Sequence, residues 1–240
     1  MKADPADLER LLKIQELDTG IEHIKHKAGT LPVHAVVETL MKRRAETADD
    51  LVAASTNLSD SVAAADKAEA DVIPVRERLA RNQARVDAGQ VDAKALSSAL
   101  DEIAHLKQRI SDLEDAELFA LDAVDAAKAR KGELTALQAE TEAALREAVT
   151  ERDGVVAGLV AEAKALAAER GTLTSQVAGE LMALYEKIRA RANGVGVARL
   201  EGGRCLGCGL EATVADLNGY LAADGDAVLR CAECDRILVR

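Results

Sequence analysis

Aromatic side chains are almost missing from this chain. Phe119, Tyr185 and Tyr220 are its only aromatic residues in 240, and there is no tryptophan. The large ring areas that dominate ordinary globular cores are therefore absent, which argues against a compact enzyme domain. Proline is also scarce, with three residues in all, so long helices can run with few interruptions. No stretch approaches the roughly 18 uninterrupted apolar residues of a membrane span, and Met1-Lys2-Ala3-Asp4 opens no signal-like apolar run. A cytoplasmic location with no membrane contact is expected. Cysteine is absent before Cys205.

Alanine, leucine, valine, glutamate, aspartate and arginine take the place of these residues, and 30% of the chain is charged. That is the usage of coiled coils. From Leu8 to Ala28, the residues Ile14, Leu17, Ile21, Ile24 and Ala28 alternate gaps of three and four, as on one face of a helix. Gly29-Thr30-Leu31-Pro32 then predicts a break. After it a seven-residue series runs through Leu51, Leu58, Ala65, Val72, Leu79 and Val86, a period of 3.5 that implies supercoiling against a partner helix. Pro74 lies inside the series and predicts a kink.

Asp87-Ala88-Gly89-Gln90 ends the pattern, and Gly89 suits a left-handed helix terminus. A second seam follows at once, with Leu96, Ile103 and Ile110 in one register and Leu106, Leu113, Ala120, Ala127 and Leu134 in the other. The short connection predicts an intramolecular antiparallel hairpin with its tip at residues 87–91, and a monomer by default. Further apolar positions from Val155 to Ile188 continue the spacing, with a break expected near Gly171. Asn193-Gly194-Val195-Gly196 is expected to form a hinge. The chain thus divides into a helical hairpin domain, 1–192, and a small β domain, 193–240, whose strands are expected around 197–200, 227–230 and 236–239.

All four cysteines fall in that last segment, as Cys205-Leu-Gly-Cys208 and Cys231-Ala-Glu-Cys234. Two CxxC pairs at hairpin separation supply four thiolates for one tetrahedral structural Zn²⁺, and a reducing compartment keeps them available as thiols. Four protein ligands leave no position for substrate or water, so neither catalysis nor a small-molecule substrate is expected. A redox role would need a depressed thiol pKa at a helix N-terminus within a βαβ context, which neither pair shows. The histidines, His23, His26, His34 and His105, form no specific set.

Charge is segregated. The formal net charge is −11, yet Arg76, Arg78, Arg81, Arg85 and Lys94 make the region of the tip basic, whereas Asp101 to Asp125 is strongly acidic. From Arg191 to Arg240 six arginines face seven acids, and four thiolates on Zn²⁺ add about two negative charges. Bulk charge therefore does not hold nucleic acid there. Contacts to a partner would come from placed arginines, Arg199, Arg204, Arg230 and Arg236, and Tyr220 is the one aromatic in the ribbon able to stack a base.

Gly89-x-Val91, Lys94-x-Leu96, Glu102-Ile103-x-x-Leu106-Lys107-x-Arg109 and Leu113-Glu114, followed by Val197-Ala198, Cys205-x-Gly207-Cys208 and Cys231-x-x-Cys234-x-Arg236-Ile237-Leu238, carry a resemblance. They resemble a bacterial family that joins a long coiled-coil hairpin to a C-terminal four-cysteine zinc ribbon. The resemblance implies a cytoplasmic, non-enzymatic protein, a nucleic-acid-binding zinc ribbon, linked in flagellated bacteria to flagellar regulation. Asp235 departs from the family, which has glycine at that turn. The expected function is a zinc-ribbon coiled-coil adaptor, a scaffold for a protein partner in gene regulation; the alternative is direct RNA or DNA binding through the same arginines.

Overall fold

A computed structural model describes residues 1–240. Helix α1, Pro5–Gly29, begins on an Asp4 cap whose carboxylate accepts from the Ala6 N–H at 2.8 Å. Pro5 fills the first turn, where a missing N–H costs nothing. Helix α2, Pro32–Asp87, starts on the proline that follows the expected break and continues through Pro74. Helix α3, Leu96–Thr174, also runs on through Gly154, Gly158 and Gly171. One glycine weakens a helix interior by only about 1 kcal/mol, which neighbouring packing offsets. The break expected near Gly171 falls instead after Thr174, where the N–H of Ala178 donates to the Asp7 carboxylate at 3.3 Å. Helix α4, Gly179–Arg191, follows. No helix is long and apolar enough to cross a membrane.

The chain forms two compact units, one of residues 36–149 and one combining 1–35 with 150–240. In the first, α2 and α3 pair as an antiparallel coiled-coil hairpin. Ala65, Val72, Ile103, Val124, Ala127 and Leu134 are buried in its seam, and Thr141 continues the series with its hydroxyl bonded back to Leu137 O at 2.8 Å. At the tip, Gln90 N–H donates to Arg85 O and Gly89 N–H to Val86 O, with Gly89 at φ +66°. This pair of bonds closes the helix end through a left-handed residue. Arg76 reaches Glu114 at 2.5 Å, and Arg78 reaches Glu102 at 2.5 Å. The two bridges flank opposite sides of the seam.

In the second unit, four short strands form a sheet in the order β2-β1-β4-β3: β1 Val197–Glu201, β2 Arg204–Cys205, β3 Leu229–Arg230 and β4 Ile237–Val239. β1 runs parallel to β4, with Val197 opposite Ile237 and Arg199 opposite Val239. Alternation along a strand sends side chains to both faces. Val197, Ile237 and Val239 thus join Leu8, Leu11, Ile14, Leu181, Tyr185 and Ile188 in the main core. Ala198 and Leu238 point the other way, toward Cys205 and Cys231. Residues 193–240 therefore share their core with α1 and α4. The N-terminus adds further stitches, Ala3 N–H to Asp226 O at 2.8 Å and Val228 N–H to Met1 O at 3.2 Å.

The segment expected as a hinge is tied down. Gln15 donates to Gly194 O at 2.9 Å and accepts from Gly196 N–H at 2.7 Å, and the Tyr185 hydroxyl oxygen lies 3.2 Å from the same Gln15 oxygen. Gly196 is required there. A Cβ at that position would lie 2.7 Å from Tyr185 Cδ2 and 2.8 Å from its carbonyl oxygen. Gly196→Ala is expected to cost about 1–3 kcal/mol, as overpacking does, measured by thermal unfolding. An unchanged midpoint would mean that the backbone at 196 can slide away from α4.

Candidate metal centre

The two CxxC turns repeat one geometry. Cys205 N–H donates to Leu210 O at 3.0 Å and Gly209 N–H to Cys205 O at 2.8 Å; Cys231 N–H donates to Arg236 O at 2.9 Å and Asp235 N–H to Cys231 O at 2.9 Å. Gly209 at φ +77° and Asp235 at φ +62° occupy the same left-handed position. A side chain there costs about 1–2 kcal/mol for most residues, and aspartate is among the few that adopt it. Asp235 also gains partners, because Arg191 at the end of α4 and Arg230 on β3 both pair with its carboxylate. The departure from glycine thus ties the second turn to two neighbouring elements.

Gly207 permits close approach of a different kind. A Cβ on it would come within 2.7 Å of Arg236 Cδ and 2.9 Å of Ala198 Cβ. Its absence lets the first turn lie against β1 and against the arginine that follows the second turn.

The four sulfurs converge. All lie within 4.8 Å of one another, with Cys205 to Cys234 and Cys208 to Cys231 each at 3.9 Å. All four cysteines are free thiols. Bonds of about 2.3 Å at tetrahedral angles place sulfurs about 3.8 Å apart, so the donor set is compatible with a tetrahedral thiophilic metal. Burial pushes the Cys205 thiol up to about 12 and raises Cys231 as well. Burial also acts upward on Cys234, but the Arg236 N–H and guanidinium, with Cys231 and Cys208, outweigh it and leave that thiol at about 7.

The four arginines expected to contact a partner each meet a group of this chain. Arg199 pairs with Glu9 of α1 at 2.9 Å. Arg204 pairs with Glu211 at 2.6 Å and also donates to Gly209 O at 3.0 Å. Arg230 is held by Asp235. Arg236 is turned inward, donating to Val195 O at 3.0 Å and Ala192 O at 2.9 Å. Tyr220, the candidate stacking residue, packs on the cysteine side of the sheet, and its hydroxyl accepts from Ala232 N–H in the second turn at 3.1 Å.

Tyr220 lies on a helix where the spacing of the two cysteine pairs predicts only a hairpin connection. Helix α5, Val214–Ala222, stands between the two turns, capped by Thr213, whose hydroxyl accepts from Asp216 N–H at 3.1 Å. Thr213-x-x-Asp216 before an apolar run is a helix-start signal that could have revealed it.

Fold and site together define a coiled-coil hairpin protein that ends in a compact four-cysteine ribbon. The chain belongs to the CT398-like coiled coil hairpin domain family, which it matches over residues 14–193. It is 32% identical to the uncharacterized protein Rv2229c of Mycobacterium tuberculosis, over 100% of this chain and 98% of that one. It is 26% identical to the uncharacterized protein ML1638 of Mycobacterium leprae, over 93% and 96%. A solved structure from Mycobacterium smegmatis superposes with a TM-score of 0.86 at 30% identity, covering 100% of both chains. CT398 from Chlamydia trachomatis gives 0.70 at 17% identity, over 97% of each chain, and shares the fold.

Proposed function

We propose that the protein is a non-enzymatic adaptor, a monomer whose ribbon is closed on one structural Zn²⁺ and presents a rigid surface to a protein partner in the reducing cytoplasm. Zinc is the metal favoured by four thiolates at tetrahedral spacing, and a shell they complete has no place for a reacting water. The observation that carries the choice of partner is the ribbon's outward surface. Leu206, Leu210, Val214 and Leu221 are each more than half exposed, while its candidate contact arginines already meet an acid or a carbonyl. Four exposed aliphatic side chains on so short a segment favour a protein surface over phosphate. The exposed arginine pairs of Arg199, Arg204 and Arg230 are worth little individually and can exchange partners, so they serve as a polar rim. Arg236 acts as a positioning residue. The gene-regulatory assignment rests on the family resemblance alone.

Immobilised full-length protein, offered lysate with and without nuclease, tests this reading. Protein partners should survive nuclease and be lost from the Leu210→Ser, Val214→Ser double variant at unchanged metal content. Binding that vanishes with nuclease, survives those changes and disappears in Arg199→Gln, Arg204→Gln would instead assign the ribbon to RNA or DNA.

A further inference from the structure

The hairpin carries an apolar patch on one of its two faces that its own pairing does not use. The Arg76–Glu114 bridge marks that face. Val62 lies two heptads before Arg76 and Ile73 three residues before it; Leu118 and Leu121 lie four and seven residues after Glu114. Residues so spaced share a helix face, so the four aliphatics form a patch two helices wide. They are 38% to 61% exposed. Positions flanking a coiled-coil seam are ordinarily charged, and those beside the opposite bridge, Arg78 to Glu102, follow that rule with Asp71, Arg85 and Arg109.

The surroundings select what could cover the patch. Asp66 follows Val62 by four residues, Glu69 precedes Ile73 by four, Glu114 and Asp115 precede Leu118 by four and three, Asp122 follows Leu118 by four, and Asp125 follows Leu121 by four. The cations on this face over that stretch are Arg76 and Lys128, and they are already paired with Glu114 and Asp125. Asp66, Glu69, Asp115 and Asp122 keep no such cation, and an apolar centre ringed by this net negative charge repels phosphate and rewards a ligand with the reverse pattern. We propose that this face docks an amphipathic helix of a partner protein, with an aliphatic stripe flanked by lysine or arginine. The patch spans about 16 Å along the axis, or three turns of such a helix. This inference is independent of the ribbon and its metal. Phe119, more exposed than any of the four at 77%, follows Leu118 by one residue and is thereby turned roughly 100° away, outside the patch.

The test uses the full-length protein and two labelled helical peptides of about 18 residues, roughly 27 Å long, with leucines on one face flanked by lysines in one and by glutamates in the other. Fluorescence anisotropy should show binding of the lysine peptide alone. That binding should weaken on raising salt from about 0.1 M to about 1 M, where the screening length falls from ~10 Å to ~3 Å. Leu118→Ser with Leu121→Ser should lower affinity by about tenfold or more, as loss of central anchors does, and Asp115→Lys with Asp122→Lys should do so as well. Phe119→Ser should leave binding unchanged. The proposal is overturned if both peptides bind alike, if the serine or lysine pair binds as the wild type does with helicity retained, or if Phe119→Ser weakens binding as much. It is equally overturned if the wild-type protein self-associates in sedimentation and the Leu118→Ser, Leu121→Ser variant does not, which would give the patch to a second copy.

Discussion

Stripping the proposed zinc with a chelator, or replacing Cys231 and Cys234 together by serine, should collapse residues 197–240 and leave the helical signal of α2 and α3 nearly intact. Without a metal the cysteine side of the sheet keeps only a small core, with Leu200, Tyr220 and Leu229 partly buried against it. Its buried members are Ala198, Cys205, Cys231 and Leu238, and two of these are the ligands themselves. A structural Zn²⁺ in a small site contributes an apparent ~10–16 kcal/mol, far beyond what two aliphatic side chains supply. The hairpin seam, by contrast, contains no ligand. The damage should nevertheless reach past the ribbon, because Val197, Ile237 and Val239 also complete the core formed by Leu8, Leu11, Leu181 and Tyr185. Hydrogen exchange should therefore show protection lost in β1 and β4, weakened in α1 and α4, and retained in the α2 and α3 segments of residues 36–149. Circular dichroism should fall only slightly. Unchanged protection of β1 and β4 after chelation would show that the metal is dispensable, and loss of most helical signal would show that the hairpin depends on the ribbon.

The residues whose role depends on period or spacing were legible in the sequence. Leu51 to Val86 marked the seam because supercoiling demands a repeat of seven, and Gly89 marked the tip because a left-handed terminus favours glycine. The paired cysteines and the strands at 197, 229 and 237 could be read for the same local reasons. What stayed hidden rests on contacts between distant segments. Gln15 and Asp18 look like ordinary polar positions of an amphipathic helix; they are buried because α4 and the 194–196 segment close over them. The engagement of Met1 to Ala3 with residues 226–228 likewise carries no local signal. Arginines read as available for a partner were found paired, since Glu9, nearly two hundred residues away in sequence, could not be matched to Arg199 without the fold. The break near Gly171 failed for the opposite reason. Local glycine propensity was given a weight that packing overrides.

Asp18→Ala should be among the most damaging single changes outside the cysteines, at a cost of about 3–5 kcal/mol, because it removes one side of a buried charge network and strands the other. The Asp18 side chain is 4% exposed and meets Arg170 Nε at 2.6 Å and Arg189 Nε at 3.3 Å. Its carboxylate also accepts from Tyr185 OH at 2.7 Å. Arg170 and Arg189 each retain Glu186, but that acid is more exposed and cannot replace both contacts. The network joins α1, the end of α3 and α4, and Gln15, one turn before Asp18, positions the 194–196 segment from the same helix. Asp18→Asn keeps the shape and some hydrogen bonding, so it should cost less, about 1–3 kcal/mol. It also gives a readout that simple cavity formation would not. Burial first, and then the Asp18 carboxylate, hold the Tyr185 phenol above its ordinary range, because a phenolate there would be desolvated and face a like charge. Removing that charge should move tyrosinate formation, followed by ultraviolet absorbance, to lower pH in Asp18→Asn than in the wild type. A double-mutant cycle with Tyr185→Phe should be strongly non-additive, since both changes break the same bond. If Asp18→Ala unfolds within about 0.5 kcal/mol of the wild type, a value ordinary for a surface change, the polar network is incidental. The aliphatic contacts of Leu11, Ile14, Leu181 and Ile188 then hold α1 to α4 unaided.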